Sequence, residues 1–151
     1  MKAVIQRTTQ ASVSVDGKIV GQLTQNAPGL LILLGVHKED SRSDVEYLAK
    51  KIIEFRIFND EQGKMNKSTK EVNAEILVVS QFTLYATWRQ GRRPGFSLAG
   101  KPEESRVLYE YFVDSLKEYG IKVATGIFGA DMQISLINDG PVTFVLDTRE
   151  N

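Results

Sequence analysis

LLILLGV, residues 30–36, sets the pattern for the segments on either side of it. It is a continuous apolar run of strand length that ends at Gly35. It therefore reads as a strand buried on both faces rather than as a helix. Upstream of it, past the turn residues Asn26 to Gly29, KAVIQR (2–7) and ASVSV (11–15) alternate like half-buried strands. Asp16-Gly17 sets up a tight hairpin from the second of these into KIVGQL. Downstream, SRSDVEYLAKKIIEFRIF changes period. Val45, Leu48, Ala49, Ile52 and Ile53 fall on one helical face, with Ser41 or Ser43 as N-cap.

The remaining segments fill in a mixed architecture. NDEQGKMNKSTKEVN (59–73) reads as a loop that could hold a small hairpin, and EILVVSQFTLYA (75–86) as a strand. TWRQGRRPGFSLAGK (87–101) has the glycines, proline and charge of a long surface loop. A second helix starts at Pro102, with Glu103 and Glu104 at the positive end of its dipole and Gly120 as its stop. Its expected buried stripe is Val107, Leu108, Tyr111, Phe112 and Leu116. IKVATGIF, MQISLIN and VTFVLDT read as three closing strands, the last two joined by the Asn-Asp-Gly turn of NDGPVT (138–143).

With 151 residues the chain suits one domain with a sizeable core. Lys+Arg and Asp+Glu both number 19, so any nucleic-acid contact must come from a local patch. The absence of cysteine excludes disulfides and thiolate metal sites. There is no signal-like or membrane-length apolar run, and the expected location is the cytoplasm. Residues 1–151 are expected to form a single α+β domain. Its sheet is mainly antiparallel or mixed and barrel-like, with two principal helices.

Candidate chemistry is sparse. One histidine and no cysteine leave no recognisable metal-ligand spacing, so neither metal nor cofactor is expected. His37 reads as an exposed histidine at a strand end, although a Ser–His–acid triad would have to use it. In SQFTLY (80–85), Ser80 and Thr83 are tempting nucleophiles, but no adjacent base would activate them. On a strand, Ser80, Phe82 and Leu84 would share one face and Gln81, Thr83 and Tyr85 the other. Arg89, Arg92 and Arg93, with Lys64, Lys67 and Lys70, offer cations for phosphates, and Trp88 and Phe96 offer stacking surfaces. The same residues also suit an ordinary solvated loop. Gly140-Pro141 reads either as a proline opening an edge strand or as a cis peptide.

Taken together, SQFTLYA (80–86) and NDGPVT (138–143) resemble the two signature motifs of the D-aminoacyl-tRNA deacylases. AVIQR, GLLILLGV, RIFNDEQGKMN, GRRPGF and TGIFGADM extend the likeness over nearly the whole chain, in order. The resemblance implies a homodimer that hydrolyses the ester joining a D-amino acid to the 3′ end of tRNA. Its partners would be the tRNA acceptor end and a second copy of itself, with no membrane. It implies that Gly140-Pro141 is cis and projects into the partner subunit's site, where a fixed backbone clash rejects L-side chains but not glycine. Arg7 matches the arginine that braces this motif, and Phe128 a position that contacts the terminal adenine. Ser80, Gln81 and Phe82 would form the reaction centre. Backbone N–H groups near Phe82 would hold the oxyanion while the 2′-hydroxyl of the substrate helps activate water. Thr83 ranks below Gln81 and Phe82. Ser105, where the family often has alanine, and Gly95, where it often has serine, depart from the pattern near the 3′-end pocket and in the GRRPGF loop.

Overall fold

The 30–36 run does form a strand with both faces covered. The computed structural model describes residues 1–150; Asn151, the last residue of the expected domain, lies outside the described residues. In chain order the elements are β1 (Lys2–Val15), β2 (Lys18–Gln22), β3 (Gly29–Gly35), α1 (Arg42–Glu54), β4 (Phe58–Asn59), β5 (Met65–Lys67), β6 (Glu75–Ser80), α2 (Pro102–Glu118), β7 (Val123–Thr125) and β8 (Gln133–Asp147). β3 lies between β1, antiparallel to it, and β6, parallel to it.

Residue alternation along β3 and β6 feeds two cores. Leu30, Ile32, Leu34, Ile76 and Val78 face the helices and pack with Val45, Leu48 and Ile52 of α1 and Phe112 and Leu116 of α2. Leu31, Leu77 and Val79 face the other way, into a cluster with Ala11, Val13 and Leu23. Burial of this kind contributes on the order of 1.5–3 kcal/mol per large apolar side chain.

The main sheet runs β2-β1-β3-β6-β7, with β8 on the far side of β1. β1 pairs with β3 through its first half, Lys2–Thr8, and with β2 through Ser12–Val15. That bend brings β2 round to β7 and nearly closes the sheet into a barrel. The closure is tight: a Cβ on Gly21 of β2 would stand 2.2 Å from the Thr125 carbonyl oxygen of β7. No helix is long and apolar enough to cross a membrane.

Local chemistry explains both helices. Ser41 caps α1, and its N–H and hydroxyl both donate to the Asp44 carboxylate, each at 2.9 Å. The five expected core residues of α1 are all buried. In α2, Pro102 opens the first turn and Gly120, with φ of 80°, follows the last. The α2 stripe differs from expectation. Phe112 and Leu116 are buried as expected, but Val107 is 57% exposed, while Tyr109 and Val113 are buried in its place.

Three strand readings also change. KAVIQR and ASVSV are halves of one strand, β1. MQISLIN and VTFVLDT are likewise one strand, β8, with NDGPVT inside it rather than at a hairpin tip. SQFTLY leaves the strand after Ser80 and makes a single 3₁₀ turn, Phe82–Tyr85. The Asp16-Gly17 hairpin forms as expected, both residues taking positive φ. The 59–73 loop does carry a small hairpin, β4 with β5.

Gly21→Val should overpack the β2–β7 seam at a cost of about 1–3 kcal/mol. Scanning calorimetry should then show Tm lowered by about 2–4 °C for each kcal/mol. An unchanged Tm would mean that the two strands do not approach this closely in solution.

Candidate active site

Three parallel strands end at one edge. The register sets Leu34 of β3 beside Ser80 of β6, and Val78 of β6 beside Thr125 of β7. Loops leaving the carboxyl ends of parallel strands are common places for a binding crevice. Here they carry SQFTLY after β6, the Phe128 loop after β7 and His37 after β3.

Glycine makes the turn after β6 possible. A Cβ on Gly35 would lie 3.1 Å from both the Gln81 carbonyl oxygen and the Leu84 Cβ, so its absence lets the chain fold back over β3. Gln81 N–H donates to Leu34 O at 2.8 Å, and Leu84 N–H to Gln81 O at 3.3 Å. Among the described residues, the intervening N–H groups of Phe82 and Thr83 have no acceptor. These are the orphan donors expected at the start of any helical turn. The Phe82 ring is exposed and meets Phe96 edge-on, with centroids 4.9 Å apart.

The hydroxyls next to these donors lack a base. Thr83 Oγ1 accepts a hydrogen bond from Gln81 Nε2. Among the described residues, neither Ser80 nor Thr83 bonds to a histidine or carboxylate. His37 is buried rather than exposed, because its ring packs against Tyr85 at 5.1 Å and its Nδ1 accepts the Glu39 N–H. Among the described residues no three His, Cys, Asp or Glu side chains gather as a metal site.

Phe128 is half-buried beside Tyr109, with ring centroids 5.6 Å apart. The Tyr109 hydroxyl donates to Val78 O inside the core, and burial pushes its pKa up to about 12. Ser105 is buried as well. Its hydroxyl fills the space where a Cβ on Gly100 would sit, 2.6 Å away, so the departure at 105 is absorbed by packing. Gly95, the other departure, exchanges two 2.8 Å backbone bonds with Thr87, and a Cβ there would stand 2.6 Å from Thr87 Oγ1. Beyond that clasp Trp88 is exposed, with the Arg89 guanidinium 5.7 Å above its ring. Lys67, the last residue of β5, lies elsewhere and is paired with Glu61.

The second motif is a bulge in β8. The register runs from Thr8–Asn138 to Gln6–Thr143, so four residues, Asp139 to Val142, stand opposite Arg7 alone. The Gly140–Pro141 bond is cis, and both residues are exposed. Gly140 has φ of 148°, and a Cβ on it would meet Val142 Cγ2 at 2.6 Å. Two side chains hold the loop. Asn138 Oδ1 accepts the Val142 N–H at 2.7 Å, and its Nδ2 donates to Thr143 Oγ1 at 3.1 Å. Buried Arg7 donates to Asp139 O at 3.0 Å, to Ile57 O at 2.8 Å and to Asn59 Oδ1 at 3.1 Å. Sequence reasoning missed Asn138 and Asn59. An asparagine two residues before a glycine is a turn-stapling signal that could have marked the first.

Within one chain the two motifs stand apart. Arg7 is level with Leu30, four residues along β3 from Leu34, and β8 is three strands from β6. At ~3.3 Å per residue and ~4.8 Å per strand, that is roughly 20 Å along the sheet.

Comparison with known proteins places these motifs in context. The family model described as D-Tyr-tRNA(Tyr) deacylase matches residues 4–147. A protein of Thermosipho africanus (strain TCF52B) named D-aminoacyl-tRNA deacylase is 55% identical over 150 residues, covering 99% of both chains. One of the same name from Geobacter sulfurreducens (strain ATCC 51573 / DSM 12127 / PCA) is 54% identical over 149 residues, covering 99% of this chain and 96% of that one. Among solved structures, one described as c-Myc DNA Unwinding Element Binding Protein matches with a TM-score of 0.90 at 39% identity. It covers 99% of this chain and 100% of that one. A probable eukaryotic D-amino acid tRNA deacylase matches with a TM-score of 0.78 at 16% identity, over 96% and 97%, a likeness of fold.

Burial of the His37 ring, and then the positive charge of Arg149, hold its pKa below the usual 6.5, against the opposing pull of Asp40 and Glu39. The unfolded chain therefore binds this proton more readily, and stability present above pH 6.5 is lost as pH falls through the folded pKa. Burial raises the Asp44 and Glu75 carboxyls, but hydrogen bonds led by those from Ser41 and Thr24 outweigh it and hold both below the usual range. Their contribution fades only in more acidic solution. Between pH 7 and 5 the urea midpoint should drop, with a slope of at most about 1.4 kcal/mol per pH unit. His37→Gln should flatten that drop; an equal drop in the variant would assign it to other groups.

Proposed function

The chain belongs to the D-Tyr-tRNA(Tyr) deacylase family, and from that membership we infer an enzyme that hydrolyses the ester bond of D-aminoacyl-tRNA, releasing free amino acid and tRNA. The described residues, 1–150, form one deacylase domain acting in the cytoplasm, where charged tRNA is used. The observation that carries the chemistry is the turn after β6, with two unpartnered N–H groups, at Phe82 and Thr83, beside an exposed Phe82 ring.

In this mechanism water adds to the ester carbonyl, and the developing oxyanion accepts hydrogen bonds from those two N–H groups. A preorganised donor of this type is worth roughly 10²–10³ in rate. The bond to the ribose 3′-oxygen then breaks, and that oxygen leaves with a proton. The substrate's own 2′-hydroxyl assists the water, which suits a site whose Ser80 and Thr83 have no base beside them. Gln81 positions the turn through its bonds to Leu34 and Thr83. Phe128 flanks the adenine of the terminal nucleotide.

Chirality is read by the second motif. With roughly 20 Å of sheet between Gly140-Pro141 and Phe82 in one chain, the motif acts on the site of a partner subunit in a homodimer. There the exposed backbone of the bulge occupies the space an L-side chain would need, and glycyl esters, lacking a side chain, escape the filter. Arg7 and Asn138 supply the stiffness such exclusion demands, since a soft wall would yield to the wrong enantiomer. A second reading, a nucleic-acid-binding module without catalysis, is favoured only by the exposed Trp88–Arg89 loop. It requires ester lifetimes unchanged by the protein.

Purified protein in chelator should hydrolyse D-tyrosyl-tRNA well above its spontaneous rate and leave L-tyrosyl-tRNA at that rate. Cleavage of neither ester would overturn the assignment. Thr83→Ala should keep activity within about tenfold, whereas loss of a true nucleophile costs on the order of 10⁶-fold.

Gly140→Ala, which forces a side chain into a positive-φ position against Val142, should reduce the D/L rate ratio by about tenfold or more, a difference of ~1.4 kcal/mol. Circular dichroism of the variant checks that the fold survives. An unaltered ratio in a folded variant would remove the bulge from chiral selection.

A further inference from the structure

The loop that follows the candidate site carries cations and an exposed ring that the hydrolytic mechanism does not use. An open groove of about 600 Å³ is lined by Thr87, Trp88, Arg89, Arg93, Gly95 and Ser97, among others. Trp88 is 73% exposed, and the Arg89 guanidinium sits over its ring. No Asp or Glu occurs between Glu75 and Glu103, and among the described residues Arg89, Arg92 and Arg93 make no ion pair. Three uncompensated guanidinium groups beside an exposed indole form a surface with an excess of positive charge and a stacking platform, in a chain of zero net charge.

The groove is held in place relative to the candidate site. The Thr87–Gly95 clasp closes the loop at its base, directly after the 3₁₀ turn that presents Phe82. Phe96, next to Gly95, packs on the Phe82 ring. Leu98 and Gly100 then bond to Lys38 and Val36, tying the outgoing chain to the end of β3. An RNA strand whose last nucleotide lies at Phe82 and Phe128 therefore has this groove as its neighbour.

We propose that the Trp88–Arg89–Arg93 groove is a second subsite, which holds the single-stranded nucleotides immediately 5′ of the terminal adenosine. This rests on the reading of the chain as an enzyme of aminoacyl-tRNA. A base stacks on the Trp88 indole, and Arg89 and Arg93 pair with the phosphates on either side of it. Stacking suits a single strand, because a base within a duplex has both faces covered by its neighbours. The subsite recognises the strand without reading its sequence. It makes the enzyme favour esters on RNA over esters on a free nucleoside.

Trp88 is the only tryptophan in the chain, so its fluorescence reports on the groove alone. The probe is an uncharged RNA hairpin ending in a four-nucleotide ACCA 3′ overhang, compared with the same hairpin cut blunt. The overhang should quench the emission and the blunt hairpin should not. By anisotropy of the labelled overhang hairpin, Trp88→Ala should weaken binding about tenfold or more, with Trp88→Phe restoring part of it. Each of Arg89→Ala and Arg93→Ala should lower the slope of log affinity against log salt by about 0.7. In deacylation, Trp88→Ala should reduce kcat/KM on D-tyrosyl-tRNA relative to that on 3′-O-D-tyrosyl-adenosine, which ends before the groove. Equal quenching by the blunt hairpin, or no change in affinity for Trp88→Ala, would overturn the proposal. If the D-ester is cleaved but the overhang does not quench, the subsite fails and the enzyme stands. If the overhang quenches and no ester is cleaved, the groove stands as an RNA site and the hydrolase reading fails.

Discussion

The Arg7 guanidinium is buried, and a buried cation is costly unless it is fully engaged. It meets that demand with two main-chain carbonyls, Ile57 O and Asp139 O, one amide oxygen, Asn59 Oδ1, and the Asp139 carboxylate, 3.4 Å from its Nε. Leaving it unsatisfied would cost more than any one of these bonds contributes, so the three segments cannot shift independently. The strand that carries it, β1, pairs with β2, β3 and β8. One charge therefore fixes the chain after α1, the central strand and the β8 bulge in a common frame. The stiffness of the Gly140-Pro141 loop follows from this frame more than from the loop's own residues.

Helix α1 was fully legible because its signals are local: a cap, a 3.6-residue apolar period and a strand-length apolar run before it. α2 was half legible. At about 100° per residue Val113 lies on the side of Phe112 and Leu116 and Val107 on the opposite one, so the helical period itself carries the distinction. Tyr109 goes inside because its hydroxyl finds Val78 O, a partner 31 residues away that no window of sequence contains. β1 and β8 each read as two strands because the alternation breaks at Thr8-Thr9 and at NDGP. In the fold each break is a register shift within one continuous pairing. SQFTLY has strand composition, yet it turns because Gly35 on another strand leaves room for it.

The site divides along the same line. That the chain lacks a base beside Ser80 and Thr83 was visible in the composition, since a single histidine can serve few roles. Where that histidine goes was not visible: beside Lys38 and Glu39 it looks solvated, but it pairs with Ala99 and packs on the Tyr85 ring, both far along the chain. The roles proposed for Arg7, Phe128 and the Gly-Pro pair rest on family likeness, because bonds across β1 and β8 leave no periodic trace. The separation of the two motifs within one chain is a property of strand order, which no single stretch of sequence encodes.

β8 pairs with β1 on one side only, which leaves a fifteen-residue strand edge with Ile137 and Val145 exposed along it. A flat edge of that length invites another sheet to add to it and grow. The Asp139–Val142 bulge breaks it into two short runs, 133–138 and 143–147, and Pro141 between them has no N–H to offer an incoming strand. A foreign strand that began to pair at either run would lose its ladder after a few residues. The loop to which chiral selection is assigned thus also protects the folded chain against runaway self-association. Smoothing it into regular strand would expose the protein to aggregation even where its chemistry was spared.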